Sequence, residues 1–343
     1  MTAALSTLDG IADRFRDDAA TVDGPGGDVR PGLRRLGEAD LLAPEGSGLP
    51  HAVALVERVA GECMSSAFSL WAHRMVIEYL TRGGSGESRL GADLRAGREI
   101  GSTAMAPALR DLAGLEPVPV VATRTASGLR LDGPIRWASN LFDGAVVVLP
   151  VRLGSEGDGR AVVRIRTGDP GVTVDPGPTL MALNGTASSS MRLDGVEVGA
   201  DAILSDDLSA FVGGVRPAFL LVQSAFCSGL ARRSAAEAER RATGANVELA
   251  PDAAAVSGRA ADVHRRLHAA AADPSSHTPA DLLRIRLDAA GVATDATRLE
   301  STVRGGAGYV AGSDVARRLR EGAFLPIQSP TEGHLRWELS RSA

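Results

Sequence analysis

In the stretch 51–80 apolar positions recur at helical spacing, with Val53, Val56 and Val59 followed by Phe68, Leu70, Trp71 and Met75. Gly83-Gly84-Ser85-Gly86 interrupts that pattern and 90–100 resumes it, so residues 1–100 read as a helical domain. The texture changes over 101–209, where Pro and Gly become frequent and short β-branched runs at 118–123, 145–151 and 161–166 are bounded by turn residues. In the last run Val163 and Ile165 alternate with Arg164 and Arg166, the mark of a strand with one buried and one wet face. From 210 to 343 the helical pattern returns over 219–241, 253–272 and 279–304. Helices, then strands, then helices exclude a doubly wound sheet. The fold expected is α+β, with an N-terminal helical domain at 1–100, a central β domain at 101–209 and a C-terminal helical bundle at 210–343.

Composition changes this picture in two places. Hydrophobic residues at 44% and charged ones at 23% give a globular chain, while 3% aromatics leave the core to aliphatic packing. All 37 basic side chains are arginine, which removes Schiff-base and other lysine chemistry. The net charge of −5 comes without a block of like charges, which argues against a nucleic-acid groove or a polybasic membrane anchor. No apolar run reads as long enough to span a membrane, and the N-terminus lacks the pattern of a secretory signal. A cytoplasmic protein is the expectation.

Candidate chemistry is sparse. Cys63 and Cys227 lie far apart in apolar stretches and read as buried thiols. His264 and His268 stand at i and i+4 on one face of a helix, yet no third ligand is evident, so a solvated face and no metal are expected. His73, after Trp71 in an apolar run, reads as a satisfied core histidine. Arg304-Gly305-Gly306-Ala307-Gly308-Tyr309 completes no dinucleotide fingerprint and reads as a turn between helices with a positive-φ glycine. Ser329-Pro330-Thr331-Glu332 reads as a capping box, with Ser329 the N-cap and Glu332 three residues on.

Several segments, in this order, resemble the acyl-CoA dehydrogenase family over essentially the whole chain. They are Leu42-Ala43-Pro44-Glu45-Gly46-Ser47-Gly48-Leu49, Val56-Glu57-Arg58-Val59-Ala60 and Ser65-Ser66-Ala67, then Gly133-Pro134-Ile135-Arg136-Trp137-Ala138-Ser139-Asn140, then Gly171-Val172-Thr173-Val174 and Leu193-Asp194-Gly195-Val196-Glu197-Val198. Gly305-Gly306-Ala307-Gly308-Tyr309 with Arg320-Glu321-Gly322-Ala323 resembles the family's C-terminal signature. The resemblance implies a flavin, FAD with FMN as the alternative, in a homo-oligomer. It implies Trp137 beside the ring, Ser139 at flavin N5, and Met105 and Ala106 on a strand facing the pyrimidine. It also implies Gly305, Gly306 and Thr331 against the ADP half, the two glycines serving a neighbouring copy's cofactor.

The departures from the family pattern bear on the reaction. Ser329 falls at the position of the family's catalytic Glu, and a serine hydroxyl alone cannot abstract a carbon-bound proton. Phe219 falls near the alternative base position, which leaves Glu332 as the candidate base. The partner-subunit clasp on FAD is not recognisable, its nearest counterparts being Thr243, Asn246 and Ala254. The reading is a flavin-dependent oxidoreductase that oxidises an acyl thioester or related small metabolite, working with a flavin reductase or another electron acceptor. The alternatives are a flavin-dependent monooxygenase on the same scaffold and a non-catalytic relative.

Overall fold

The computed structural model describes residues 2–154 and 159–342. Five helices come first: α1 (Thr2–Asp23), α2 (Arg30–Glu38), α3 (Gly48–Ala60), α4 (Met64–Arg82) and α5 (Arg89–Arg95). Strand β1 (Gly101–Thr103) and the short helix α6 (Ala106–Leu112) lead into β2 (Val121–Arg124), β3 (Gly128–Ala138), β4 (Val146–Leu153), β5 (Arg160–Arg166), β6 (Val172–Val174), β7 (Ser189–Gly199) and β8 (Ile203–Ser205). The chain ends in α7 (Leu208–Arg241), α8 (Ala250–Ala272), α9 (Pro279–Arg304), α10 (Asp314–Phe324) and α11 (Glu332–Leu339). The α+β expectation therefore holds, as helices, then a sheet, then a helical bundle.

The strands form one sheet in the order β6-β7-β3-β2-β4-β5-β8, with β1 parallel to β4. Two cores meet at β4. Val146 and Val148 join the helical core, while Val147 and Leu149 join a second cluster built from the strands. A strand covered on both faces reads as an unbroken apolar run, as Val146-Val147-Val148-Leu149 does. On β5 the expected alternation is only partial, because Ala161, Val162 and Val163 are buried in succession. Val162 belongs to the helical core and Val163 to the sheet core, so no face of β5 at this point is left to solvent.

Local chemistry sets the long helices. Asp207 caps α7, its carboxylate accepting from the Ala210 amide. A full capping box of Thr278 and Asp281 starts α9, with Pro279 at its first position. Contrary to the reading of the sequence, α7 is long and apolar enough to cross a bilayer by length and composition. Of that apolar window 67% is buried inside the fold, where α7 packs on α3, α4, α8 and α9 as the central helix of the bundle. Both cysteines are free and buried.

Candidate functional site

Strand β3 ends in an irregularity that decides where Trp137 points. Ile135 pairs with Met191 and Ala138 with Ser189, so three steps along β3 match two along β7. One residue of β3 is therefore extra, which is a β-bulge. With strict alternation Trp137 would follow Ile135 into the sheet core. With the bulge, Arg136 and Trp137 both face outward, Ala138 returns inward, and the Trp137 side chain is left 60% exposed. A large apolar ring is thus uncovered at the end of β3.

Immediately beyond lies a buried network of neutral polar groups. Asn140 takes a left-handed backbone conformation at φ 62°, which Asn tolerates better than most residues. Its Nδ2 donates to the carbonyls of Ser69 on α4 and Gly101 on β1, each at 2.9 Å, and the Ser69 hydroxyl donates to its Oδ1. The Ser102 hydroxyl donates to the Ser139 carbonyl at 2.6 Å. The Ser139 hydroxyl shares a hydrogen bond with that of Ser188 at 2.7 Å, and Ser188 another with Thr186 at 2.7 Å. His73 closes the network from α4, bonding the Leu94 carbonyl through Nε2 at 2.9 Å and accepting from the Gly101 amide at Nδ1 at 3.0 Å. Complete burial pushes its pKa down to about 4. His73 is a neutral, fully satisfied core histidine.

The remaining residues named from the sequence fall elsewhere. Met105 and Ala106 are not on a strand. β1 ends at Thr103, Met105 is the N-cap of α6, and Ala106 opens that helix with Pro107 behind it, where a missing N–H costs nothing. Gly305 ends α9 at φ 62° and ψ −149°, a conformation open essentially to glycine alone, so the expected positive-φ turn is present. Around Gly306 an added Cβ would meet nothing within 4 Å among the described residues beyond its own chain neighbours. Nothing inside the chain requires a glycine there.

The capping box at 329–332 is corrected. The N-cap of α11 is Thr331, whose hydroxyl accepts from the His334 amide at 3.2 Å, and Glu332 is the first helical residue. Glu332 therefore does not turn back to cap; its carboxylate reaches forward to Arg336 at 2.8 Å. Both side chains line a groove of about 710 Å³ between α8, α9 and α11. The Ser329 carbonyl accepts from Gln223 of α7 at 2.8 Å. Phe219, at the alternative base position, is buried edge-on against Trp71, with ring centroids 5.2 Å apart. The structure thus groups Trp137, Ser139 and the α6 entry with β1 and β3, and sets Gly305, Gly306, Thr331 and Glu332 on the helical bundle.

A flavin presents a flat apolar ring with a hydrogen-bonding edge. The ring-side residues fit it. An exposed indole stands two residues from a hydroxyl whose only partner among the described residues is another hydroxyl, and such a pair can exchange one bond for a ligand at little cost. The Thr331 hydroxyl, in contrast, is committed to its cap.

Asn140, Ser102 and Ser188 escaped the sequence reading. Asn140 lies within the quoted Trp137-Ala138-Ser139-Asn140 segment, yet nothing local says that its amide ties α4 to β1. The His264–His268 reading is also revised. Glu57 of α3 meets both imidazoles, with Nδ1 of His264 at 2.9 Å and Nε2 of His268 at 2.8 Å from its oxygens.

No family model matches the sequence, and no curated protein matches it. Solved structures do, over nearly the full chain. Butyryl-CoA dehydrogenase from Megasphaera elsdenii is 17% identical, with a TM-score of 0.87 over 99% of this chain and 97% of that one. PigA, solved with FAD and proline, is 15% identical, with a TM-score of 0.85 over 100% of this chain and 97% of its own. KijD3, solved with dTDP, is 17% identical, with a TM-score of 0.81 over 99% and 95%.

Proposed function

On the acyl-CoA dehydrogenase fold that this chain has, we propose a flavin-dependent oxidoreductase acting on an acyl thioester or a related small metabolite. The observation that carries it is the bulge at Arg136–Trp137, which turns an indole out of the core beside the Ser139 hydroxyl. Bulges recur next to active sites, where the unpaired extra residue re-aims a side chain. PigA, solved with FAD, supports FAD as the flavin.

A bound flavin supplies a two-electron acceptor. Trp137 would cover the ring and Ser139 would hydrogen-bond its edge. Ser188 would then keep its bond to Thr186, and Asn140 would hold the strand end against α4 and β1. Glu332 is the carboxylate available to take a substrate proton, and Arg336 holds it in place through an ion pair. A general base of this kind typically contributes about 10²–10⁴-fold in rate.

The second reading is a monooxygenase on the same scaffold. It is favoured by the hydroxyl of Ser329 at the family's base position and by the Arg336 partner that occupies Glu332, since oxygen chemistry needs no base for a carbon-bound proton. One variant separates the two. Under the dehydrogenase reading, Glu332→Gln abolishes anaerobic bleaching of the flavin by substrate. Under the monooxygenase reading, the same variant keeps oxygen-dependent turnover with externally reduced flavin. Purified protein without flavin absorbance, and gaining none on incubation with FAD or FMN, would overturn both.

A homo-oligomer belongs to the same proposal. Directly after Gly305 and Gly306, Tyr309 is 87% and Val310 61% exposed, an apolar surface that this chain leaves uncovered. A second copy would bury it and bring the two glycines to a neighbour's cofactor. Light scattering at micromolar concentration tests this, and a strict monomer refutes it.

A further inference from the structure

A second cluster stands apart from β3, where α3, α7 and α8 meet. Its geometry begins with Gly229 on α7. A Cβ there would sit 2.2 Å from the Glu57 carbonyl oxygen, so only glycine lets α3 pack this closely on α7. That approach buries the Glu57 side chain to 6% exposure and brings it against Ser228, whose hydroxyl donates to Oε1 at 2.5 Å. From α8, the i and i+4 spacing of His264 and His268 sets their imidazoles side by side on one face, with ring centroids 4.3 Å apart and planes tilted by 52°. Both rings point at the same carboxylate. Nδ1 of His264 lies 2.9 and 3.0 Å from its two oxygens, and Nε2 of His268 lies 2.8 Å from Oε2.

We propose that Glu57, His264 and His268 form a binding site for a divalent transition cation of the zinc class, pinning α3 to α8. One ligand atom from each residue lies within 4.8 Å of the others. Around a tetrahedral zinc ion with bonds of about 2.0–2.2 Å, ligand atoms stand roughly 3.3–3.5 Å apart, so the present contacts open by about half an ångström to admit the ion. Two imidazoles and one carboxylate suit Zn²⁺ better than the oxygen-seeking Mg²⁺ or Ca²⁺. The imidazoles are 35% and 32% exposed, which leaves a wet side for entry and for a water as fourth ligand.

The supporting features match what a metal site needs beyond its ligands. Ser228 fixes the carboxylate from behind, the role an outer-shell hydrogen bond plays at such centres. Both carboxylate oxygens already face the imidazoles, Oε1 and Oε2 toward His264 and Oε2 toward His268, so either can serve as the ligand atom. In the bound form each imidazole gives the metal the nitrogen that now faces Glu57 and carries a proton on the other ring nitrogen. Arg232 stands at the rim, 3.7 Å from Glu57 and half-exposed, where it can swing into solvent as the cation enters.

The experiment is a ZnCl₂ titration of the chelator-treated full chain, free of any affinity tag, against a chromophoric zinc indicator. One equivalent is expected to bind at micromolar or tighter concentration and to raise the thermal midpoint. Cobalt(II) in its place should give the visible absorption of a four-coordinate ion. Paired His264→Gln and His268→Gln changes should weaken binding at least a hundredfold and abolish the cobalt spectrum. Glu57→Gln, which keeps an acceptor for Ser228, should weaken it at least tenfold while circular dichroism stays native. Failure of the wild-type chain to compete with the indicator overturns the proposal. So does a stoichiometry that the folded Glu57→Gln and double-histidine chains both retain.

Discussion

The Asn140 network and the Glu57 cluster both tie distant elements through buried polar groups, but by opposite means. Around Asn140 the groups that tie α4 to β1 are neutral and fully buried: Ser69, Ser102, His73 and the amide itself. Around Glu57 one buried charge meets two imidazoles and an arginine that all keep an edge in water. A lost partner in the first set strands backbone carbonyls that no water reaches. In the second, the imidazoles can turn to solvent. The neutral network should therefore be the stiffer and costlier one to break, and it is the one beside the outward-turned Trp137. The ionic cluster is built to tolerate a small opening, as cation binding demands.

The largest effect should come from Asn140→Ala. It removes donors from the Ser69 and Gly101 carbonyls and leaves alanine in a left-handed conformation. At about 1–3 kcal/mol for each stranded group, the loss should reach roughly 3–5 kcal/mol. Urea unfolding measures it, and a loss below 1 kcal/mol would show that the network does not hold the strand end.

Acid should attack the same region next. His73 is depressed from 6.5 to about 4, so the unfolded chain takes up its proton first. Its contribution is complete above pH 6.5, falls as the pH drops toward 4, and levels off below that. At about 1.4 kcal/mol per unit, this amounts to roughly 3 kcal/mol. His73→Gln should flatten that part of the stability profile between pH 7 and pH 4. An unchanged slope would mean that other groups carry the acid sensitivity.

Glu57→Gln in metal-free protein should cost less, about 1–2 kcal/mol. It keeps the acceptor for Ser228, and the histidines rehydrate. If it costs as much as Asn140→Ala, the contrast between the two clusters fails.

The two regions also differ in how much of them the sequence displays. The helix–strand–helix order follows from periodicity, and the Trp137–Asn140 segment is contiguous, so its resemblance could be read from neighbours in the chain. The bulge could not, because it depends on pairing with Met191 and Ser189 far downstream. Helix α6 replaced an expected strand since Ala106-Pro107 suits a first helical turn. The start of α11 moved because it is the Thr331 hydroxyl that has the His334 amide within reach. Glu57 lies more than 200 residues from His264, and the packing of α3 on α7 at Gly229 and on α8 brings them together. A pair of histidines at i and i+4 is visible in one helix, but its third partner is a tertiary fact.

The smallest expected effect is also the sharpest probe of what the neutral network is for. Ser139→Ala removes one hydroxyl from the chain Ser139–Ser188–Thr186, and Ser188 keeps its bond to Thr186. Folding stability should change by less than about 1 kcal/mol, since no buried group is left without a partner. Flavin affinity should fall further, by roughly two- to tenfold, matching one lost hydrogen bond of about 0.5–1.5 kcal/mol to the ring edge. Fluorescence titration of FAD against both proteins reads the affinity, and urea unfolding of the flavin-free proteins reads the stability. A drop in stability with affinity unchanged would make Ser139 one more member of the Asn140 network. A drop in affinity with stability unchanged would mark it as the group that the network holds in place for the cofactor.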